Sequence, residues 1–197
     1  MTRALLLLVA WVLVVGCGSS GDDGDPAPKT PEPAAPGTDA PEITAPDAVD
    51  EREGIDGDFG EVAVTITGPE GETCELCLLL ADTPELRSQG LMRVTDPELG
   101  GYDGMLFDHG TAAVGGYWMM NTPMPLSIAY WGEDGGFVSS VDMEPCVDDP
   151  DGGCPTYPPG GPYRWALEVP RGGLEEILAV KGATISVDGP TCPAGGT

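Results

Sequence analysis

The residues best suited to chemistry lie in one apolar stretch, residues 115–131, with the sequence GGYWMMNTPMPLSIAYW. Two glycines and two aromatic residues open the stretch, and the polar pair Asn121 and Thr122 interrupts it just before two prolines. In a chain whose formal net charge is −25, a stretch this apolar must be buried or must face a ligand. The polar pair therefore marks either a break in the backbone or a binding site.

Two interpretations of the polar pair remain open. In the first, which we favour, Asn121 and Thr122 hydrogen-bond the backbone groups that Pro123 and Pro125 leave unpaired at a kink. In the second, the pair borders a concave pocket, where aromatic rings stack on a small molecule or a sugar and polar groups fix its orientation. The candidate residues for this pocket are Arg87, Tyr117, Trp118, Asn121, Thr122 and Glu168.

Two kinds of hydrolase are alternatives to a binding site. A carbohydrate-active hydrolase needs two carboxylates roughly 5–10 Å apart across a cleft, and Glu144 and Glu168 are the candidate pair. A serine or cysteine hydrolase needs a base, but His109 is the single histidine of the chain and no GxSxG motif accompanies it. Arg87 has a structural alternative too, because it could form a buried ion pair with Glu168 or Asp82. We therefore favour binding over catalysis.

A Cu(I) site is a further alternative, because thioether sulfurs are soft ligands and methionine is frequent in this chain. The methionines concerned are Met92, Met105, Met119, Met120, Met124 and Met143, and His109 is near in sequence. Methionine is more often an adaptable core residue, and two adjacent methionines point to opposite faces of a strand. We accordingly predict no metal and no other cofactor.

The cysteines predict disulfides and an oxidising compartment. Cys146 and Cys154 flank an acidic turn and would close a short loop. Cys192 would pair with either Cys77 or Cys74, which would leave one thiol free. Cys74 and Cys77 have CxxC spacing, but no second such pair exists and the segment is predicted to be a strand, so redox and zinc chemistry are disfavoured.

The N-terminal residues 1–16 are predicted to be a lipoprotein signal peptide. Arg3 precedes an apolar run of about a dozen residues, too short to cross about 30 Å of hydrocarbon. Cys17 follows Val-Val-Gly, as in a bacterial lipobox, so we expect lipidation of Cys17 and anchoring on the extracytoplasmic side of a membrane. Residues 17–58 are rich in proline, alanine and acidic residues without apolar periodicity, which predicts a disordered tether.

The remaining residues, 59–197, are enough for one domain with one core. The acidic balance of the chain argues against nucleic acid as a partner, because phosphate contacts need Lys and Arg side chains. We expect a monomer in the cell envelope. Its expected partners are the membrane, through the lipid anchor, and a small-molecule or carbohydrate ligand.

Short strands are predicted to position the candidate residues. Alternating or apolar runs predict strands over 61–67, 74–81, 104–107, 117–120, 126–131, 137–143, 163–169 and 183–187. Asp82, Thr83 and Pro84 predict a helix start, and residues 174–180 predict a second short helix. The expected fold is mainly β, an antiparallel sandwich or barrel-like domain with one or two short helices.

Several motifs in order resemble the bacterial domain of unknown function 192 family. They are ADTPELRSQGLM, GMLF, YWMMNTPMPLSIAYW, EPC and TYPPGGPYRWALEVPRG, and they cover roughly residues 78–181. The resemblance implies a compact, mostly β domain that is commonly exported or lipid-anchored. It implies no particular activity, because none is established for the family.

Two positions depart from the pattern of that family. Met120 stands where the family usually has lysine, and Ser88 and Gln89 stand where arginine often precedes Gly90. An anion-binding lysine in the central motif is therefore excluded. The positions that match are Arg87, Trp118, Asn121, Thr122, Tyr163 and Glu168, and Tyr163 joins the candidate ligand-binding residues on this basis. We predict an exported, lipid-anchored domain that binds or interacts in the cell envelope.

Overall fold

The computed structural model describes residues 55, 57–147, 153–190 and 192, and structural statements refer to these residues. The predicted signal peptide, the lipidation of Cys17 and nearly all of the predicted tether lie outside them. Among the described residues, no helix has the length and apolar character needed to cross a bilayer.

The described chain is mainly β, as predicted, with one short α-helix. The strands are β1 (Gly60–Thr67), β2 (Thr73–Ala81), β3 (Gly104–Ala113), β4 (Tyr117–Trp118), β5 (Leu126–Trp131), β6 (Phe137–Met143), β7 (Thr156–Tyr157), β8 (Tyr163–Pro170) and β9 (Thr184–Gly189). Helix α1 (Pro84–Gln89) follows β2, and a 3₁₀ turn spans Leu99–Gly101. The predicted strands recur in the structure, with β3 extended by six residues beyond the predicted Phe107.

Seven strands form one mixed sheet in the order β6-β5-β8-β3-β2-β1-β9, and β4 and β7 form a separate pair. Strands β2 and β3 pair in parallel because α1 carries the chain back across the sheet, whereas the other neighbours are antiparallel. An isolated bridge between Gly136 and Thr184 brings the beginnings of the two edge strands together. The sheet nevertheless does not close into a barrel.

The sheet buries a different core on each face. On one face lies the methionine-rich cluster: Phe59, Leu79, Ala81, Leu91, Val94, Leu99, Met105, Phe107, Met119, Met124, Leu126, Ile128, Tyr130, Met143, Tyr163 and Ala166. On the other lies the aliphatic cluster: Val62, Val64, Ile66, Cys74, Leu76, Leu78, Leu106, Ala129, Trp131, Leu167, Val169, Leu174, Ile177, Ala179, Ala183 and Ile185. Strand alternation divides neighbouring residues between the two clusters, so Tyr130 and Trp131 of β5 belong to opposite faces.

The helix predicted over residues 174–180 is wrong. The structure has a run of turns there, because Leu178 adopts a left-handed conformation with φ +62° that interrupts helical hydrogen bonding. The Leu178 N–H donates to the Glu175 carbonyl and the Ala179 N–H donates to the Leu174 carbonyl. Leu174 and Ile177 still pack into the aliphatic cluster, which explains the apolar spacing that suggested a helix.

Disulfides join Cys77 to Cys192 and Cys146 to Cys154, with Cα–Cα distances of 5.3 and 5.9 Å. The first bond closes a much longer loop than the second, because the joined residues are 115 and 8 positions apart in sequence, respectively. No cysteine among the described residues is a free thiol, which corrects the expectation of one unpaired cysteine.

Candidate functional site

Strand β8 places a carboxyl group at a core position. Leu167 and Val169 face the aliphatic cluster, so alternation directs Glu168 with Ala166 towards the methionine-rich face. Glu168 lies opposite Met105 of β3 and Ile128 of β5 in the sheet register, and it is 5% exposed. An acidic side chain therefore occupies a core position where the surroundings would favour an apolar side chain.

The Glu168 carboxyl makes no hydrogen bond or ion pair with any described residue. Burial alone raises its pKa to about 8, because the charged form is poorly solvated in the core. The group is therefore mostly protonated at pH 7. Buried polar groups are nearly always hydrogen-bonded, and a carboxyl without a partner is a reason to consider a ligand.

Helix α1 positions the cation of the site. The Thr83 hydroxyl accepts a hydrogen bond from the Leu86 N–H, Pro84 occupies the first turn, and Gly90 ends the helix with φ +48°. One nitrogen of Arg87, Nη1, donates to the carbonyl of Asp82 at 2.5 Å and to that of Asp108 at 2.8 Å. Arg87 is thus fixed by two backbone carbonyls. Its expected ion pair with the carboxylate of Glu168 or Asp82 does not form.

Three aromatic side chains form a polar network beside Arg87. Nε2 of His109 lies 3.0 Å from the Tyr117 hydroxyl and 3.4 Å from the Tyr163 hydroxyl. The Tyr163 hydroxyl donates to the Gly115 carbonyl at 2.9 Å. Burial, and then the charge of Arg87, lower the pKa of His109, so its ring is mostly neutral at pH 7. Burial raises the pKa of both tyrosines, which keeps their hydroxyls protonated.

The short pair of strands β4 and β7 holds two aromatic residues over this region. Tyr117 pairs with Tyr157, and Trp118 pairs with Thr156. A Cβ atom at Gly116 would lie 2.8 Å from Thr156 Cγ2 and 2.9 Å from the Tyr157 carbonyl oxygen, so the close approach of the strands requires glycine. Tyr117 is half-buried, whereas the Trp118 side chain is 49% exposed.

These side chains surround two adjoining recesses. The deep recess encloses about 280 Å³ including its mouth, and its lining includes Arg87, Met92, Tyr117, Trp118, Thr122 and Glu168. The outer cleft spans about 740 Å³ including the open solvent at its mouth, and its lining includes Arg87, Ser88, His109, Tyr117, Trp118 and Tyr163. Because the two share Arg87, Ser88, Tyr117 and Trp118, they form one indentation with Glu168 in its deeper part. We refer to this indentation as the Glu168 cleft.

The structure brings together six of the seven candidate ligand-binding residues. Arg87, Tyr117, Trp118, Thr122, Tyr163 and Glu168 line one or both parts of the cleft. Asn121 lines neither part. It is exposed, adopts a left-handed conformation with φ +54°, and accepts a hydrogen bond from the Arg93 N–H at 2.7 Å.

Thr122 has both roles that the sequence leaves open. It is 4% exposed, its N–H donates to the Met119 carbonyl, and its hydroxyl donates to the Met120 carbonyl at 3.3 Å. Its own carbonyl accepts from the Cys146 N–H, which ties the turn to the disulfide loop. The residue therefore stabilises the turn and also borders the deep recess.

The carboxylate pair considered for hydrolysis is not brought together. Glu144 lines neither part of the cleft, its side chain is 73% exposed, and it forms an ion pair with Arg171 at 2.9 Å. Glu168 is the one acidic residue, among those described, that lines either recess.

The methionines serve mainly as core. Met105, Met119, Met124 and Met143 are buried in the methionine-rich cluster, and Met92 lines the deep recess. Within the described part of the chain, no three or more His, Cys, Asp or Glu residues group together as metal ligands would.

The cleft also contains residues that sequence reasoning missed as ligand-binding candidates. His109 was considered only as a base or a copper ligand, yet it joins both tyrosines of the cleft. Its position could have been found by extending β3 past Phe107, because alternation places residues 107 and 109 on the same face. Ser88 follows Arg87 on α1 and lies in both recesses, but a six-residue helix leaves too little periodicity to predict this.

Comparisons with known proteins identify the fold but not a function. The DUF192 family model, described as "Uncharacterized ACR", matches residues 65–187, which is more than half of the chain and wider than the motifs span. No curated protein matches the chain.

Two solved structures are similar in fold. One is described as a proposed transcription regulator from Sinorhizobium meliloti; it is 24% identical, with a TM-score of 0.55, and the match covers 68% of this chain and 98% of that one. The other is a protein of unknown function from Novosphingobium aromaticivorans; it is 27% identical, with a TM-score of 0.52, and the match covers 64% of this chain and 84% of that one.

Proposed function

The chain belongs to the DUF192 family, whose function is not established, and we propose that this member binds a small polar ligand in its Glu168 cleft at the cell envelope. The proposal combines a fold that positions one cleft with a sequence that predicts export. Binding, rather than turnover, is the role that the polar groups support best.

The observation that carries the proposal is the state of Glu168. A carboxyl at a core position without a hydrogen bond from the protein costs roughly 1–3 kcal/mol unless a molecule in the recess that it lines supplies the partner. A ligand in the deep recess would supply the missing partner. Arg87 adds a fixed cation, and the exposed ring of Trp118 adds an apolar wall at the mouth. Convergent polar groups in a recess with aromatic walls are the usual form of a small-molecule site.

Two other roles have less support. A hydrolase with two facing carboxylates lacks its second acid, because Glu144 lies outside both recesses. Transcription regulation, the role in the description of the Sinorhizobium meliloti protein, is not proposed for this chain, since a net charge of −25 opposes binding to nucleic acid.

The envelope location rests on the sequence of residues 1–58. Membrane fractionation of cells that express the full chain tests it, with Cys17→Ser compared with the wild type. We expect the wild type in the membrane fraction and the variant in the soluble fraction, because the substitution removes the site of lipidation. Retention of the variant in membranes would refute the anchor and leave the cleft proposal unaffected.

Ligand binding is tested by NMR and thermal unfolding. The purified full-length protein is screened against amino acids, simple amines and carboxylates, and mono- and disaccharides. A compound that binds the cleft should shift amide resonances of residues 87–92 and 117–122 and raise Tm. Trp118→Ala should weaken that binding, whereas Val187→Ala, which truncates an exposed apolar side chain on β9, should not.

The result that would contradict this proposal is equally specific. If every compound that binds shifts resonances outside these segments, or if Trp118→Ala and Val187→Ala bind equally well, the cleft is not the ligand site.

A further inference from the structure

Two residues of opposite formal charge line the deep recess without pairing with each other. Arg87 and Glu168 both border it, yet no ion pair joins them, so their charged atoms lie farther apart than the ~4 Å of a salt bridge. The recess therefore presents a cation and an unpaired carboxyl without a direct contact between them.

Hydrogen bonds hold the Arg87 guanidinium in place, and the sheet holds the backbone of Glu168. The Arg87 guanidinium is bonded to carbonyls at the end of β2 and in β3, through Asp82 and Asp108. Glu168 extends from the middle of β8, a strand paired on both sides. The Arg87 guanidinium cannot move towards Glu168 without breaking these hydrogen bonds. The cation of the recess is therefore held away from a direct ion pair with Glu168.

We propose that the deep recess binds a dipolar ligand of the amino-acid type, with its ammonium group against Glu168 and its carboxylate against Arg87. The inference rests on the proposed function and names the ligand class. One molecule that carries both charges would supply a partner of opposite charge to each of these two residues, which do not pair with each other. A neutral ligand would leave Arg87 without an anion.

The chemistry of each end suits this orientation. Arg87 uses Nη1 for the scaffold, and its remaining N–H donors have no partner among the described residues, so they are available to a carboxylate. Tyr117 and Trp118 also line the recess, and aromatic rings can attract a cation. The Glu168 carboxyl supplies the counter-charge when an ammonium group enters.

Binding of an ammonium group should be linked to the ionisation of Glu168. The other titratable or charged groups around this carboxyl are Arg87 on α1, His109 on β3, Tyr117 on β4, Tyr130 on β5 and Tyr163 on its own strand. Burial raises the pKa of all three tyrosines and lowers that of His109, so none of them changes charge appreciably between pH 7 and 9. A pH dependence in this range would therefore report Glu168.

The test uses isothermal titration calorimetry of the full-length protein with a series of ω-amino acids: glycine, β-alanine, 4-aminobutyrate and 6-aminohexanoate. Their increasing length measures the gap between Glu168 and Arg87. Propylamine and propionate carry one charge each, and maltose is the neutral probe. The two charges of these amino acids persist between pH 6 and 8.5, because such groups titrate near about 4 and 10.

We expect one chain length to bind at least about tenfold more tightly than either singly charged probe, since two desolvated charge contacts replace one. With a Glu168 pKa of about 8, its ionised fraction rises roughly eightfold between pH 7 and 8.5, and the affinity should rise by up to this factor. Glu168→Gln should remove the pH dependence, Arg87→Gln should remove the preference over propylamine, and Glu144→Gln should change neither.

Three outcomes would overturn the inference. They are equal affinity for the ω-amino acids and the singly charged probes, affinity that is flat or falls as pH rises from 7 to 8.5, and tighter binding of maltose than of any ω-amino acid. Maltose binding in the cleft would leave the proposed function intact, whereas no binding in the cleft by any compound would overturn both. The wild-type pH profile decides the matter even if Glu168→Gln fails to fold.

Discussion

The two faces of the seven-stranded sheet are equally buried but differ in chemistry. The aliphatic cluster is built from Val, Ile, Leu, Ala, one Cys and Trp131. The methionine-rich cluster contains four methionines and two tyrosines, and it adjoins the recess that holds Glu168. Adjacent residues of β8 show the contrast, because Leu167 fills the first face and Glu168 interrupts the second.

This contrast suggests a division of roles, in which the aliphatic cluster stabilises the domain and the methionine-rich face supports binding. Branched aliphatic side chains pack in few conformations and give the first face a close-fitting core. Methionine is more adaptable, and the tyrosine hydroxyls need hydrogen-bond partners, which the second face supplies through residues such as His109 and the Tyr157 carbonyl. The second face is therefore the more polar of the two, and the recess lined by Glu168 adjoins it.

The largest expected effect distinguishes the two disulfides. Replacing Cys77 and Cys192 by serine should lower the free energy of unfolding by about 4–5 kcal/mol, because their bond closes a loop of more than 100 residues. Replacing Cys146 and Cys154 should cost about 2–3 kcal/mol, and it should also loosen the turn at Thr122 and weaken binding in the cleft. Urea denaturation and ligand titration measure the two effects. Equal losses of stability would contradict this ranking.

Trp131→Ala tests the role of the aliphatic face. The side chain is fully buried in the aliphatic cluster, so truncation should destabilise the domain by about 3–5 kcal/mol. Urea denaturation measures the loss, and Trp118→Ala is the matched control, because that tryptophan is 49% exposed and should cost far less. A similar loss from both substitutions would mean that the cleft contributes as much to stability as the aliphatic core does.

Glu168→Gln tests the methionine-rich face through the pH dependence of the free energy of unfolding. The unfolded glutamate has a pKa near 4.5 and the folded one a pKa of about 8, so between these values the folded state binds more protons. The free energy of unfolding should therefore fall as pH rises through this window, by up to about 1.4 kcal/mol per pH unit from this group.

Urea denaturation at pH 5, 6.5 and 8 measures this dependence. The glutamine variant should lack this component, whereas Glu175→Gln, at an exposed position, should retain it. A wild type and a Glu168→Gln variant with the same pH dependence would show that the carboxyl is not desolvated.

Glu144→Gln has the smallest expected effect. The substitution breaks the ion pair with Arg171, whose side chains are 73% and 31% exposed, and exposed pairs contribute about 0–1 kcal/mol. Neither stability nor binding in the cleft should change appreciably by denaturation and calorimetry. A loss of binding comparable to that of Glu168→Gln would contradict this expectation and support the hypothesis of a two-carboxylate hydrolase.

The sequence predicts the strands well because their patterns are local. Residues 126–131 and 137–143 have the predicted bounds in β5 and β6, and the start of α1 follows from Thr83 and Pro84. The turns at residues 174–180 could not be predicted, because leucine rarely adopts the left-handed conformation that Leu178 has and the local sequence does not mark it. The parallel pairing of β2 and β3 depends on where α1 returns the chain, which is also a tertiary property.

The site was predicted in part. Arg87, Tyr117, Trp118, Tyr163 and Glu168 come from three separate elements, α1, β4 and β8, and no local pattern shows that they share a cleft. The separation of Arg87 from Glu168 could not be foreseen, since sequence suggests that opposite charges pair. The separation accompanies the hydrogen bonds that the Arg87 guanidinium donates to two backbone carbonyls.

The most direct test of the account is the titration of the Glu168 side-chain carboxyl by ¹³C NMR in glutamate-labelled protein, assigned with Glu168→Gln. We predict a midpoint near pH 8 in the free protein, because the group is buried without a partner. A midpoint near 4.5 would contradict the account, since it would place Glu168 in a solvated or paired environment and remove the basis for a ligand in the cleft.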